Sequence, residues 1–275
     1  MKKEGDKISK EYSNAIDSEA NTIVSKTGNA KFADYATEDL SHLPEDITEH
    51  SFGCGNPLAF SEVKPGQIVL DLGCGAGLDL LLASERVGDA GHVIGVDVNE
   101  DMLALAEERI REYHNIELRK GRIEELPINS NSVDWVISNC VINLSQDKQK
   151  AFNEIARILK PNGKMIVSDI VAENLPWWVR YSGVLKAACG GGGGISEKQY
   201  LDGLNNAGLE YCQIVARQYY DPSQLASIVS DAAPATFRRL RCCGKPILHS
   251  VLTKLANPIS KNLWSAKISA SAPTA

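Results

Sequence analysis

Between residues 68 and 87 the chain reads IVLDLGCGAGLDLLLASERV: a short apolar run, a turn with glycine at 73, 75 and 77, and a helix pattern closed by Gly88. A strand that passes through a glycine turn into a helix is a βα unit, and it must bury that helix against a sheet. The alternation goes on with GHVIGVDVN (strand), EDMLALAEERIREYH (helix), IELRKG (strand), SVDWVISNCVI (strand), SQDKQKAFNEIARILK (helix) and GKMIVSDIV (strand). Strands separated by helices predict an α/β chain with a doubly wound, mostly parallel sheet. The helix before GKMIVSDIV is expected to stop at Lys160, where Pro161 and Gly163 forbid continuation. A later segment, ISEKQYLDGLNNAGL, reads as a helix with Ser196 as N-cap and Gly208 past its end.

The chain divides by composition into an N-terminal helical, charged cap (1–50), a core (51–172), an appended C-terminal region (173–254) and a tail (255–275). The tail is rich in small polar residues and is expected to be loosely held. The whole chain's 29 Lys and Arg against 35 Asp and Glu, a net charge of −6 without a basic stripe, argue against a nucleic-acid partner. No stretch reaches the roughly 20 apolar residues of a membrane span, and no apolar segment follows the N-terminal charges, so no membrane partner and a cytoplasmic location are expected.

Glycines at alternate positions of a strand–helix turn let the backbone come against a ligand, and the helix that follows offers free N–H groups. Leu78 stands where a dinucleotide fingerprint would carry a later glycine, which favours a ligand without a diphosphate. Asp97 ends the second strand some 20 residues on, where a carboxylate accepts from ribose hydroxyls. Asp71 ends the first strand, in place to receive an ammonium or fix the loop. The pattern suggests a nucleoside; the plain alternative is an ordinary turn between strand and helix.

Seven cysteines, at 54, 74, 140, 189, 212, 242 and 243, are an odd number in a chain without an export signal, which favours free thiols over a disulfide framework. A free cysteine behaves as a small hydrophobe, and Cys74 and Cys212 fit that role. Cys54 and Cys189 sit in glycine-flanked loops where apolar packing gains little. Asn139 and Cys140 fall at the end of a strand pattern, where a turn is expected. The Cys242–Cys243 pair follows RRLR, whose charges lower thiol pKa and suit a further metal contact. Zinc is a weaker reading because paired C-x-x-C spacing is missing. His50 reads as a surface or cap residue, and Trp177 with Trp178 as a lid or packing contact.

The segment DLGCGAG and the acid closing the second strand resemble class I S-adenosylmethionine-dependent methyltransferases over residues 66–172. The resemblance implies a Rossmann-like methyltransferase fold with S-adenosyl-L-methionine as cofactor. It implies cofactor contacts at Asp71, Gly73, Gly75, Gly77, Asp97, Val98, Met102, Ile123, Glu124, Asn139 and Cys140. Ile123 and Glu124 would lie beside the adenine, and Asn139 and Cys140 next to the transferred methyl group. More narrowly, SFGCGNP, SNCVINLSQDK and ACGGGGGISEKQYLDGLNNAGL resemble three segments of the arsenite methyltransferases, over about residues 45–240. That resemblance implies Cys54, Cys140 and Cys189 as thiolate ligands of trivalent arsenic and as the catalytic set, with the C-terminal region binding the acceptor.

Arsenic(III) is soft and thiophilic, and three thiolates leave its lone pair free to attack a methyl carbon in line. No general base is needed, and positioning can supply on the order of 7–11 kcal/mol. Residues 1–53 contain no cysteine, so an external thiol or thioredoxin-type reductant is the expected partner besides the trivalent arsenical. Two alternatives stay open: a methyltransferase of the same fold acting on a small organic acceptor, and a non-catalytic arsenic-binding protein.

Overall fold

The computed structural model describes residue 35, residues 55–175, 195–222 and 260–274, and the backbone of 241–242 and 245–246. Its core is one seven-stranded sheet: β1 (Ile68–Leu72), β2 (His92–Asp97), β3 (Ile116–Lys120), β4 (Val133–Asn139), β5 (Leu159–Ala172), β6 (Glu210–Tyr219) and β7 (Leu263–Ser271). The spatial order is β3-β2-β1-β4-β5-β7-β6. The first five are parallel, and β7 runs antiparallel between β5 and β6. The expected doubly wound, mostly parallel α/β sheet is what the chain forms.

Helices cover both faces. Beneath α1 (Leu78–Val87) lie Val69, Val93, Ile137 and Ile166, while Leu103 and Ile110, within and just after α2 (Glu100–Arg109), pack on the same side. The opposite face, with Leu70, Val136, Val167 and Ile268, is covered by Phe152 and Ile155 of α3 (Lys148–Ile158) and by Tyr200 and Leu204 of α4 (Glu197–Asn206). Caps behave as the sequence predicts. Ser196 forms a capping box with Gln199, and Gly88 and Gly208 turn the chain at positive φ (63° and 85°). Asn99 caps α2 with its side-chain oxygen on the amides of Asp101 and Met102. The α3 helix ends two residues before Lys160, because Leu159 is already extended and pairs with Val133 of β4.

The C-terminal reading needs correction. Residues 263–271, assigned to a flexible tail (255–275), form β7, paired with β5 from Lys164↔Ser271 to Ala172↔Leu263. A period of two runs through it: Trp264, Ala266, Ile268 and Ala270 on one face, Ser265, Lys267, Ser269 and Ser271 on the other. With Ser and Ala at half its positions, its alternation resembles a polar tail, although nearly all of it is buried. The core therefore does not end at 172, and β6 and β7 extend the same sheet. Of the expected acceptor-binding region (173–254), residues 195–222 carry α4 and β6, whereas Cys189, Trp177, Trp178 and the Cys242–Cys243 side chains lie outside the described residues, as do Cys54, His50 and the N-terminal cap apart from Tyr35. Glu197 fastens this edge. It accepts two bonds from Arg217 of β6 (2.6 and 2.7 Å) and one from Trp264 Nε1 of β7 (2.8 Å). Among the described residues, no helix is long and apolar enough to cross a membrane.

Candidate active site

In open α/β sheets ligands bind at the carboxyl ends of the strands. Here the first strand ends in the glycine loop, with Gly73, Gly75 and Gly77 all at positive φ (68°, 49° and 95°). They differ in surroundings. A Cβ on Gly73 would lie 2.4 Å from Val141 Cγ2, so this part of the loop packs on the residue after Cys140; a Cβ on Gly75 would meet nothing within 4 Å. Gly77 opens α1 without a side-chain cap, leaving the N–H groups of the first turn to face the loop. Asp97 pins the loop: its Oδ2 accepts from the Gly75 amide (2.9 Å) and its Oδ1 from the Asn99 amide (2.8 Å). The Val98 amide also donates to this carboxylate, and of its roughly four acceptor positions one remains for a hydroxyl.

Three carboxyls gather behind this loop. Asp71 is 2% exposed, and burial followed by the charges of Asp79 and Asp97 pushes its pKa well up. Burial raises Asp79 to about 6, against hydrogen bonds from Tyr35 and Asn139 that hold it down. Asp97 is also raised, chiefly by burial. Such a cluster favours a bound cation. The open side of Gly75, the uncapped start of α1 and the three carboxyls fit S-adenosylmethionine, whose ammonium and sulfonium are positive and whose ribose offers two hydroxyls.

The other expected cofactor contacts lie around this edge. Val98 is exposed beside Asp97, and Met102 is buried in the first turn of α2. The Gly121 amide donates to the Asp97 carbonyl (2.9 Å), which brings the 121–124 segment alongside. Ile123 packs half-buried on the core, and Glu124 accepts from Ser145 Oγ at 2.6 Å.

At the end of β4 the backbone departs from strand geometry. Cys140 has φ 62°, a conformation uncommon for a side-chain-bearing residue, and its amide donates to the Ser168 carbonyl of β5 (2.8 Å). Next to it, Asn139 grips Gly55 from both sides. The Gly55 amide donates to Asn139 Oδ1 (3.2 Å), and Asn139 Nδ2 donates to the Gly55 carbonyl (2.5 Å). The second proton of Nδ2 reaches the Tyr35 hydroxyl (3.0 Å), which in turn donates to Asp79 Oδ1 (2.7 Å). Gly55 and Asn139, distant in sequence, are thus held together beside the glycine loop.

Of the three expected thiols only Cys140 is described, and it is disulfide-bonded, its partner lying outside the described side chains. At Cys140 this departs from the preference for free thiols over a disulfide framework. Cys74 and Cys212 are free. The Cys74 thiol is buried against Gly95 of β2, where a Cβ would come within 2.9 Å of Sγ, and burial raises its pKa. Cys212 is half-buried near the Leu209 carbonyl. Both keep the packing role expected of them. After Cys140, Asn143 ties the Ile142–Leu144 turn to Asp169 of β5 through its amide (3.2 Å) and Nδ2 (2.6 Å). Asp169 also accepts from Tyr200 of α4, and burial pushes it up to about 7.

Sequence reasoning missed Tyr35, Asp79, Ser168 and Lys267. A signal existed for two of them: Asp79 is the lone acid in an otherwise apolar start of a helix, and Lys267 the lone charge in a short alternating strand.

A methyltransferase-domain family profile matches residues 63–208, more than half of the chain. The chain belongs to the methyltransferase-domain family. Its cofactor is S-adenosylmethionine, which the loop geometry accommodates. Among curated relatives, the arsenite methyltransferase of Halobacterium salinarum is 45% identical over 139 residues, which is 50% of this chain and 35% of that protein. The arsenite methyltransferase of Mus musculus is 38% identical over 171 residues, 58% of this chain and 45% of that protein. The chain thus spans less than half the length of these relatives in alignment. Among solved structures, an arsenic (III) S-adenosylmethionine methyltransferase from Chlamydomonas reinhardtii matches with a TM-score of 0.64 at 27% identity, covering 86% of this chain and 72% of that one.

Proposed function

We propose that this methyltransferase carries a methyl group from S-adenosylmethionine to trivalent arsenic, arsenite or methylarsenite, held by the thiolates of Cys140, Cys54 and Cys189. The observation that carries the proposal is the grip of Asn139 on Gly55. It joins the neighbour of Cys140 to the neighbour of Cys54 at the edge where Gly73 packs on Val141. The similarity to arsenite methyltransferases supports the choice of acceptor.

The cofactor supplies an electrophilic methyl on a sulfonium. The arsenic lone pair forms the new As–C bond as the S–C bond breaks, with the bonding pair leaving on sulfur. Each thiol that displaces an arsenite hydroxyl releases one water, so no general base is required. The protein's work is positioning: Asp97 holds the donor loop, the Ser168 carbonyl fixes the Cys140 backbone, and Asn139 docks the segment that follows Cys54. The disulfide at Cys140 must be reduced before that sulfur can bind arsenic, so an external dithiol and a reducing compartment such as the cytoplasm belong to the proposal. Arsenic detoxification is the role this activity serves.

The test is incubation of the purified chain with arsenite, a thiol and the methyl donor, followed by speciation of the products. Methylated arsenic is expected from the wild type and none from Cys140→Ser or Cys189→Ser, while calorimetry shows both variants still binding the donor. Full turnover by Cys140→Ser refutes the thiolate mechanism. A finer outcome concerns Cys54: once one methyl occupies arsenic, two thiolates suffice, so Cys54→Ser is expected to fail on arsenite and still methylate monomethylated trivalent arsenic.

A further inference from the structure

We propose that Asp169 is a positioning residue for methyl transfer: its ionised carboxylate clamps the turn after Cys140 and thereby holds Cys140 in its left-handed backbone. The proposal rests on the reading of Cys140 as a ligand of the acceptor and names the group that keeps it in place. Cys140 bears a side chain at φ 62°, a conformation that persists only where the surroundings fix it. Two adjacent residues of β5 do so from the two ends of a short segment. The Ser168 carbonyl accepts from the Cys140 amide (2.8 Å), and the Asp169 carboxylate accepts from the Asn143 amide (3.2 Å) and from Asn143 Nδ2 (2.6 Å). Between those points lies Val141, against the glycine loop.

The surroundings of this carboxyl are built for an anion. Its Oδ1 takes Asn143 Nδ2 and the Ile170 amide (3.0 Å), and its Oδ2 takes the Asn143 amide and the Tyr200 hydroxyl of α4 (3.3 Å). Those four donors fill its roughly four acceptor positions, so a proton on Asp169 has to displace one of them. The longer pair on Oδ2 yields first, and one of the two is the Asn143 amide that anchors the turn. Asp169 and Asn143 are each 1% exposed, too buried for bulk water to replace a lost bond. Burial raises Asp169 to about 7, while its donors and the charge of Lys148 hold it down. Among the described residues, the charged and titratable groups acting on it are Lys148 of α3 and Tyr200 of α4; opposite it on β7 stands Ala266. Lys148 braces the same turn by donating to the Asn143 and Ser145 carbonyls (3.2 and 2.9 Å). The clamp therefore engages as pH rises through about 7 and releases as it falls.

The experiment uses the full chain, reduced and saturated with donor. Asp169→Asn keeps the shape but carries an amide, so it stands in for the protonated acid at every pH. It is expected to lower arsenite turnover about tenfold or more at pH 8, with the donor Kd within threefold. The deciding readout is the ratio of wild-type to Asp169→Asn rates across pH, in which the titration of thiols and reductant cancels. It should fall from about tenfold at pH 8 to within about twofold at pH 5.5, where the wild-type carboxyl is itself protonated. Tyr200→Phe removes one donor to the anion, so its activity should fall away at a pH about half a unit or more above the wild type's. A ratio that stays constant with pH makes Asp169 a merely structural residue and overturns the proposal. Wild-type turnover by Asp169→Asn overturns it too, as does a loss of donor binding equal to the loss of activity. Should Asp169→Asn fail to fold, an unmoved pH profile in Tyr200→Phe overturns it. Wild-type inactivity on arsenite removes the arsenite reading itself and this proposal with it, whereas an active wild type with a pH-independent ratio removes only the role of Asp169.

Discussion

The donor half and the acceptor half of this site are built in different ways. On the donor side everything comes from consecutive βα units: Asp71, the glycine loop, α1 and Asp97 lie within 30 residues, and the decisive contacts are backbone amides and carboxylates. On the proposed acceptor side, Asn139, Ser168 and Lys267 stand in one register row and the Asn139 side-chain amide ties Gly55 to it. A ligand common to a whole family can be held by local geometry. The acceptor proposed here would be met by side chains that only the assembled sheet brings together.

If that division holds, a variant at the junction should separate the two activities most sharply. Asn139→Ala removes both bonds to Gly55, the one to Tyr35 and a longer one to Asp79 (3.3 Å). It is expected to lower kcat/KM for arsenite by about a hundredfold or more, the scale of a few kcal/mol of lost positioning. Donor Kd, measured by calorimetry, should change less than threefold. Equal losses in donor binding and transfer would mean that the two halves are one.

Two glycines of the donor loop sharpen the same contrast. Gly73→Ala puts a methyl against Val141 in a left-handed backbone and is expected to cost about 2–4 kcal/mol of stability in urea unfolding, with activity on every acceptor falling alongside. Gly75→Ala meets open space. It should cost only about 1–2 kcal/mol for its backbone, yet weaken the donor at least tenfold, because the added methyl fills ligand space. A stable Gly75→Ala protein with wild-type donor affinity would move the cofactor elsewhere.

How much of this was legible in the sequence follows the same line. The glycine loop, Asp97, the caps at Ser196, Gly88 and Gly208 and the parallel sheet depend on neighbours within one βα unit, and each can be read from spacing. The place of β7 depends on which strand edge was vacant, and its Ser and Ala residues hid a buried strand inside a tail-like composition. Lys267 shows in the sequence only as a lone charge in an alternating strand; its surroundings, Ser168 and Gly55, lie 99 and 212 residues away. Cys140 was found by its odd place after a strand. Its left-handed backbone and its disulfide were not, because both depend on contacts that the local sequence does not contain.

The carboxyl cluster on the donor side should give pH dependence without involving the acceptor. Asp79, raised by burial to about 6, holds its proton more tightly in the folded chain than when unfolded. Without cofactor, that contribution makes the fold more stable as pH falls from about 7 toward 4, and it is lost as pH rises through about 6. A cationic donor prefers the ionised cluster, so its Kd should rise roughly tenfold per pH unit below about 6. Asp79→Asn should flatten that profile. Calorimetry from pH 5 to 8 decides it, and a donor affinity that grows on acidification would contradict a cluster poised for a cation.

The smallest expected effect tests whether the donor loop takes any part in acceptor binding. Cys74 lies in that loop, between Gly73 and Gly75, and a soft acceptor could in principle be drawn to its thiol. Its side chain points the other way, into the gap that Gly95 leaves on β2, where burial keeps it protonated and a protonated thiol is a poor ligand. Cys74→Ala should cost about 1 kcal/mol of packing in urea unfolding and leave both arsenite KM and donor Kd within twofold of the wild type. A large loss of arsenite turnover with donor binding intact would make the glycine loop itself an arsenic ligand. The separation between a donor half built from backbone and an acceptor half built from distant side chains would then fail within the donor loop itself.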